Sequence, residues 1–308
     1  MARYLPEIVR HYSGDGRPYL NIGHTGLNDP AFRKWIDRSN VAPIYMVHDL
    51  IPITHPEYAR PGEAARHQQR MVTVLETAAG IIGNSAATLD SLKNWGSAHH
   101  LPSPPTRAIW LGTTRLMAET GHPTAKHPHF VTLGTIEGRK NHLLLLNLWR
   151  DWAERGQTTI PQLVIVGQRG WAAEQTLSIL DRCPSLKSHV VELPNCDDAT
   201  LANLIGNARA LLFPSFVEGY GMPLAEALAA GVPVIASDLP VFREIAGSIP
   251  TYCDPIDSKS WGDAIMAYTP ENSATRASQC AAISGYRAPT WADHFQKLDL
   301  WLAELKLI

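Results

Sequence analysis

Apolar residues fall along this chain in two alternating rhythms. Short β-rich runs occur at PYLNIG (18–23), PIYMVHD (43–49), GIIGNS (80–85) and TRAIWLG (106–112). Between them lie stretches with helical character, over 28–38, 62–78 and 86–95. The alternation restarts with HFVTLG (129–134), QLVIVG (162–167), HVVEL (189–193), ALLFPS (210–215) and PVIASD (233–238). Helices are predicted with them over 141–154, 171–181, 198–207, 223–230 and 259–268. Strands separated in this way by helices predict parallel sheets, hence an α/β fold. The segment 116–128 is rich in Thr, His and Pro, lacks apolar periodicity and reads as a linker between a first domain, 1–115, and a second, 129–290. The tail 291–308 spaces Trp291, Phe295, Leu298, Leu302 and Leu305 as one apolar stripe, which predicts a helix packed against a domain. Asp293, Asp299 and Glu304 leave that helix too little positive charge to favour a membrane surface.

Composition narrows the classes. The 308 residues are 45 % apolar and 18 % charged, enough to bury two cores. A net charge of −2 gives no support for a nucleic-acid partner. Cys183, Cys196, Cys253 and Cys280 are far apart and form no CxxC pair, so neither a disulfide framework nor a zinc site is expected and a reducing cytoplasm fits best. No signal-peptide core and no run of about 20 apolar residues is present. The expectation is a cytoplasmic protein, with peripheral contact to a membrane left open.

The stretch EGYGMPLAE (218–226) places two carboxylates across a segment broken by two glycines and a proline. It sits between a strand and a helix, with Pro223 suited to the first helical turn and Gly231 to the exit. Glu226 is therefore expected in the first turn of the helix and Glu218 on the loop before it. The backbone amides around Gly219, Tyr220 and Gly221 are expected to be free to meet an anion or sugar hydroxyls. Taken alone, the spacing is also that of a solvated loop residue and a helix-start carboxylate. Arg139 and Lys140 follow the strand that ends at Gly134, and cations are disfavoured at the start of a helix, so a ligand phosphate is expected beside them. Two such cations can stabilise a diphosphate leaving group without a metal.

PSFVEGYGMPLAEALAAGVPVIASDLPVFREI resembles the donor-site signature of the family-4 retaining glycosyltransferases, which have the GT-B fold. VTLGTIEGRKNHLLLL (131–146) is similar to that family's second landmark, and VHDLIPITHPEY (47–58) to the N-terminal segment of its bacterial mannosyltransferase-like members. The resemblance implies two doubly wound Rossmann-like domains facing a cleft, with ligands beyond the carboxyl ends of the strands. It implies that Glu218 faces the reacting carbon of the donor sugar and that Glu226 binds the ribose diol. It places Gly134, Arg139, Lys140, Gly219, Tyr220, Gly221 and Met222 around the donor, and gives His48 a contact with the donor sugar. His24 and Thr25, after the first strand, and Asn84 and Ser85, after the third, are weaker candidates on the acceptor side; Ser85 also reads as a helix cap. Arg66 and Arg70, one turn apart, read as a solvated face before a phosphate contact.

Two departures qualify the match. Family members begin with an extra strand and a glycine-rich loop, and this chain reads as starting after them, with a shortened first domain. Leu193 and Pro194 stand where relatives carry a glycine near the base. The expected activity is metal-independent, retaining transfer of a hexose from a nucleotide diphosphate sugar to a saccharide or lipid-linked acceptor, in cell-surface or exopolysaccharide synthesis. GDP-mannose ranks ahead of UDP-glucose as donor, with no cofactor beyond the substrates. A non-catalytic nucleotide-sugar-binding partner and a GT-B-fold epimerase remain alternatives.

Overall fold

The computed structural model describes residues 15–114 and 128–308, so all of the linker read at 116–128 except Pro128 lies outside the described residues. The chain divides into two compact units, Met1–Gly112 with Pro289–Ile308, and Thr113–Ala288.

In the first unit, β1 (Pro18–Asn21), β2 (Ala42–Val47), β3 (Gly80–Gly83) and β4 (Thr106–Ala108) form a parallel sheet in that order. The connections carry α1 (Pro30–Ser39), α2 (Ile51–Thr54), α3 (Glu63–Thr77) and α4 (Ala86–Ala98). Alternation along β2 sends Tyr45 and Val47 into a core with Phe32, Met71, Val74, Leu89 and Leu92. Ile44 and Met46 join a second core with Ile82 and Ile109.

In the second unit, six parallel strands run in the order β10 (Thr251–Cys253), β9 (Val234–Ser237), β8 (Leu211–Phe213), β5 (His129–Leu133), β6 (Gln162–Val166) and β7 (Val190–Leu193). Their helices are α5 (His142–Glu154), α6 (Glu174–Arg182), α7 (Asp198–Gly206), α8 (Met222–Ala229), α9 (Pro240–Ala246), α10 (Ser258–Tyr268) and α11 (Ala274–Ile283). Phe130, Trp149, Leu163, Ile165, Leu212, Ile235 and Trp261 fill the core between sheet and helices. The chain leaves β5 in one direction, through β6 and β7, then returns to the other side of β5 with β8. β5 and β8 therefore flank the point where the strand order reverses, and their C-terminal loops open there side by side.

Four elements have no counterpart in the periodicity. β10, α2 and α9 span 3, 4 and 7 residues, too short for a period to show. Helix α11 hides because it docks partly through a buried polar side chain. Gln279 Nε2 donates to the carbonyls of Val234 (2.9 Å) and Ile249 (2.8 Å), and its Oε1 accepts from Val234 N at 2.9 Å. The run 106–112 is strand only to Ala108, although Ile109 N still donates to Gly83 O at 2.9 Å.

The last helix, α12 (Trp291–Glu304), belongs to the first unit. It starts on a capping box between Thr290 and Asp293. Leu298, Trp301 and Leu302 close the second core of that unit against Ile44, Met46, Ile82 and Ile109. A Cβ at Gly80 would lie 2.7 Å from Trp301 Cη2, so the helix rests directly on the backbone of β3. No helix among the described residues is long and apolar enough to cross a membrane. Trp301→Ala should destabilise the first unit by about 3–5 kcal/mol. Urea unfolding of parent and variant, followed by circular dichroism, checks this.

Candidate active site

The two loops at the strand-order reversal carry the chemistry of the second unit. After β5 the chain turns at Gly134, with φ of 135°, where a Cβ would press on Lys140 Cε at 3.4 Å. The facing Gly167 allows a still closer approach: its Cβ would stand 2.0 Å from the Gly134 carbonyl oxygen. A single 3-10 turn, Gly138–Lys140, then presents Arg139 and Lys140. Asn141, in the left-handed region at φ 56°, fixes the exit of that turn by donating from Nδ2 to the carbonyls of Pro214 (3.1 Å) and Pro255 (2.9 Å). Phe216 N donates to Arg139 O at 2.8 Å, joining the turn to the loop after β8.

Both oxygens of Glu218 are held. Lys140 Nζ donates to Oε1 at 2.6 Å, Ser215 Oγ to the same oxygen at 2.7 Å, and Arg139 Nη1 to Oε2 at 2.8 Å. The Glu218 side chain is 7 % exposed. Burial pushes its carboxyl up, but the charges of Lys140 and Arg139 and the hydrogen bonds from Lys140 and Ser215 outweigh burial and hold it below the ordinary value. Glu218 is thus a desolvated, ionised carboxylate. Arg139 also gives Nε to Glu137 Oε1 at 2.7 Å, and Glu137 is 4 % exposed. Lys140 Nζ lies 4.9 Å from the centre of the Phe213 ring.

The two cations at this turn, expected from the sequence to mark a ligand phosphate, also have an account within the protein, because Glu137 and Glu218 balance them. Ser215, Glu137 and Asn141 are site residues that sequence reasoning missed. Their only signal was position, since each sits on the loop following β5 or β8.

Glu226 stands differently. Helix α8 starts at Met222, with Gly221 at φ 114° as its N-cap, so Glu226 is the fifth residue and lies in the second turn rather than the first. A Cβ at Gly221 would fall 2.7 Å from Phe242 Cε1, and this packing sets where the helix begins. The Glu226 side chain is half-buried and makes no hydrogen bond or ion pair among the described residues. Burial first, then the charge of Asp198, pushes its carboxyl up. Gly219 and Tyr220 each make an interaction within the protein, and Tyr220 is buried. The Gly221 carbonyl accepts from Leu224 and Ala225 at 3.0 and 3.2 Å.

In the first unit, His24 and His48 lie with ring centres 5.6 Å apart, and His24 lies at the same distance from His67. His48 Nε2 meets the Ile22 carbonyl at 2.7 Å and His67 Nε2 meets that of Asp49 at 3.1 Å. His24 adopts φ 56°, and its Nε2 is buried without a hydrogen-bond partner among the described residues. Burial, then the charges of His67 and His48, push His24 down to about 4. Thr25 gives its carbonyl to Asn21 Nδ2 at 2.8 Å. Asn84 and Ser85 are buried and serve the protein: Asn84 Nδ2 donates to His48 O at 2.8 Å, and Ser85 Oγ caps α4 by accepting from Thr88 N at 3.1 Å. Arg70 pairs with Glu63 at 2.7 Å and with Asn28 Oδ1 at 2.7 Å, and Arg66 pairs with the same Glu63.

Residues 116–277, just over half of the chain, match the family model described as Glycosyl transferases group 1. The chain belongs to that family. Among curated relatives of this group 1 glycosyl transferase, the serotype-specific mannosyltransferase WbdA of Escherichia coli is 32 % identical over 222 residues, which is 66 % of this chain and 26 % of the relative. The O-antigen chain mannosyltransferase RfbU of Salmonella typhimurium is 30 % identical over 182 residues, covering 59 % of this chain and 48 % of the relative. The chain thus spans about a quarter to a half of the length of these relatives. Anabaena HepE, solved in complex with UDP and glucose, superposes with a TM-score of 0.71 at 17 % identity over 92 % of this chain and 78 % of that one. Sucrose-phosphate synthase from Thermosynechococcus elongatus gives 0.70 at 20 % identity over 95 % and 74 %. The group 1 glycosyl transferase has the GT-B fold, with two Rossmann-like sheets.

Beside Lys140, His142 opens α5 fully buried, with both ring nitrogens lacking a partner among the described residues. Burial, then the Lys140 charge, push it down to about 4. The unfolded imidazole titrates near 6.5, so the unfolded chain binds a proton that the folded chain refuses. Stability is therefore full above about pH 6.5 and falls as pH drops toward 4, by roughly 3 kcal/mol at about 1.36 kcal/mol per unit. His142→Leu should flatten that part of the slope, read by urea unfolding between about pH 4 and 6.5. The slope that remains carries His24, which is displaced in the same direction.

Proposed function

We propose that the chain is a retaining, metal-independent hexosyltransferase that moves mannose from GDP-mannose, ahead of glucose from UDP-glucose, onto a saccharide or lipid-linked acceptor. The observation that carries this reading is the buried Glu218 carboxylate shared by Lys140, Arg139 and Ser215 at the strand-order reversal. The curated relatives, one named a serotype-specific mannosyltransferase and the other an O-antigen chain mannosyltransferase, support mannose and a cell-surface polysaccharide as product.

The chemistry follows from charge. As the glycosidic bond breaks, negative charge builds on the nucleoside diphosphate and positive charge on the reacting carbon of the sugar. Arg139 and Lys140 stabilise the first, and Glu218 stabilises the second. These are the same charges that neutralise one another in the unliganded protein. When the diphosphate draws on the two cations, Glu218 loses part of its compensation, and its attraction for the developing cation rises. Glu226, half-buried and without a side-chain partner among the described residues, can accept two hydrogen bonds from the vicinal hydroxyls of ribose. His48 is assigned to the donor sugar on the sequence resemblance. No cofactor beyond the substrates is required.

The test offers GDP-mannose and UDP-glucose with and without mannose-terminated oligosaccharides and follows nucleotide release. Acceptor-dependent release, unchanged by EDTA, with retained anomeric configuration in the product by NMR, is the expected outcome. Glu218→Ala should lower kcat by roughly 10²–10³-fold, in a protein whose donor binding shows that it is folded. Binding without release under every condition would make the chain a nucleotide-sugar-binding partner, and free interconversion of the donor sugar would make it an epimerase.

A further inference from the structure

Glu137 has no part in the transfer as derived above, yet its carboxylate is buried beside the three charged groups that do. Its side chain is 4 % exposed, against 7 % for Glu218, 11 % for Lys140 and 21 % for Arg139. The four groups form a closed set of two cations and two carboxylates with no net charge. A bound diphosphate diester brings two further negative charges into this partly desolvated setting, where like charges interact strongly. Some of that charge must be removed if the cations are to serve the ligand.

The two carboxylates are unequal candidates. Glu218 accepts three hydrogen bonds, from Arg139, Lys140 and Ser215, each of which favours its ionised form. Glu137 has one side-chain partner among the described residues, Arg139 Nε at 2.7 Å, and a neutral acid can keep that bond through its carbonyl oxygen. We propose that Glu137 takes up one proton from solvent when the diphosphate of a nucleotide sugar binds at Arg139 and Lys140, so that the loaded site sheds one of its two carboxylate charges. The inference rests on the assignment of the diphosphate to those two cations.

The groups facing Glu137 fit this role. Arg139 and Lys140 share its turn, and Glu218 faces it from the loop after β8. The loop after β6 also packs on it, since a Cβ at Gly170 would lie 3.6 Å from Glu137 Cβ. The charge on that loop, Arg169, is committed to Asp181 and Glu192, both at 2.7 Å, and is not available to replace Arg139. Burial already pushes the Glu137 carboxyl above its ordinary value against the pull of Arg139 and Lys140, and Glu218 adds to the rise. His142, beyond Lys140, and Glu226, whose carboxyl burial also pushes up, are other groups that could take a proton.

Calorimetric titration with GDP-mannose, and with UDP-glucose, tests the proposal in buffers of different ionisation enthalpy. These diphosphates are esterified at both ends and have no second phosphate ionisation near pH 6 to confuse the count. Binding should be accompanied by net proton uptake, and donor affinity should fall by up to about tenfold per pH unit above the pKa of Glu137 in the free protein. E137Q should abolish the uptake, flatten the pH dependence and, at pH 8, bind donor more tightly than the parent. Binding by the parent without proton uptake overturns the inference and leaves the proposed function standing. Uptake that survives in E137Q also overturns it, and His142→Gln and Glu226→Gln then show which group takes the proton. Donor binding that is unchanged in an Arg139→Ala, Lys140→Ala variant, or absent with both donors, defeats the reading beneath it as well.

Discussion

A carboxylate held at both oxygens ties the second unit together where its chemistry lies. Glu218 joins the turn after β5 to the loop after β8 through Lys140 and Arg139, and Ser215 locks its orientation. Two backbone-directed bonds run in parallel, from Phe216 N to Arg139 O and from Asn141 Nδ2 to Pro214 O. The strands below are hydrogen-bonded neighbours, so the loops start close together, and the side chains turn that closeness into one defined arrangement. Taking a single partner from such a buried set leaves an uncompensated charge, which costs about 3–5 kcal/mol. The glycines at 134 and 167, the left-handed Asn141 and the short 3-10 turn all serve this geometry.

On the proposed reading, the same arrangement keeps two cations ready for a phosphate without leaving them bare. Internal carboxylates hold Arg139 and Lys140 in position while no ligand is present, so little reorganisation is required when one arrives. The cost is competition, because ligand and carboxylates want the same cations. Ordering by burial softens that competition: the groups best shielded from water lie deepest, while the Arg139 side chain keeps 21 % of its surface exposed.

Much of this was legible from residue order alone. Strand ends mark where functional loops lie, and Glu218, Arg139 and Lys140 all follow strands whose apolar runs are plain. What was not legible depends on contacts across the sheet. Glu137 and Ser215 look like ordinary loop residues until β5 and β8 are placed side by side. Asn84 and Ser85 look exposed by the same positional rule, yet both are buried and bond inward. The start of α8 was misplaced because Pro223 suggested the boundary, whereas contact of Gly221 with Phe242 decides it. Helix α11 was invisible because its buried Gln279 makes hydrogen bonds where a periodic pattern looks for an apolar residue.

The chain enters its first unit, leaves it for the whole of the second, and comes back with α12. Leu298, Trp301 and Leu302 are synthesised only after the whole of the second unit, yet they close a core begun by Ile44 and Met46. During translation the second unit can complete its sheet while one apolar face of the first still waits for its cover. For as long as a ribosome takes to pass from the first sheet to α12, at about 5–20 residues per second, the nascent chain carries an open hydrophobic surface, and a copy stalled before α12 would carry it permanently. Quality control of this protein therefore has a simple cue, since an uncovered first sheet marks a chain that has not yet reached α12.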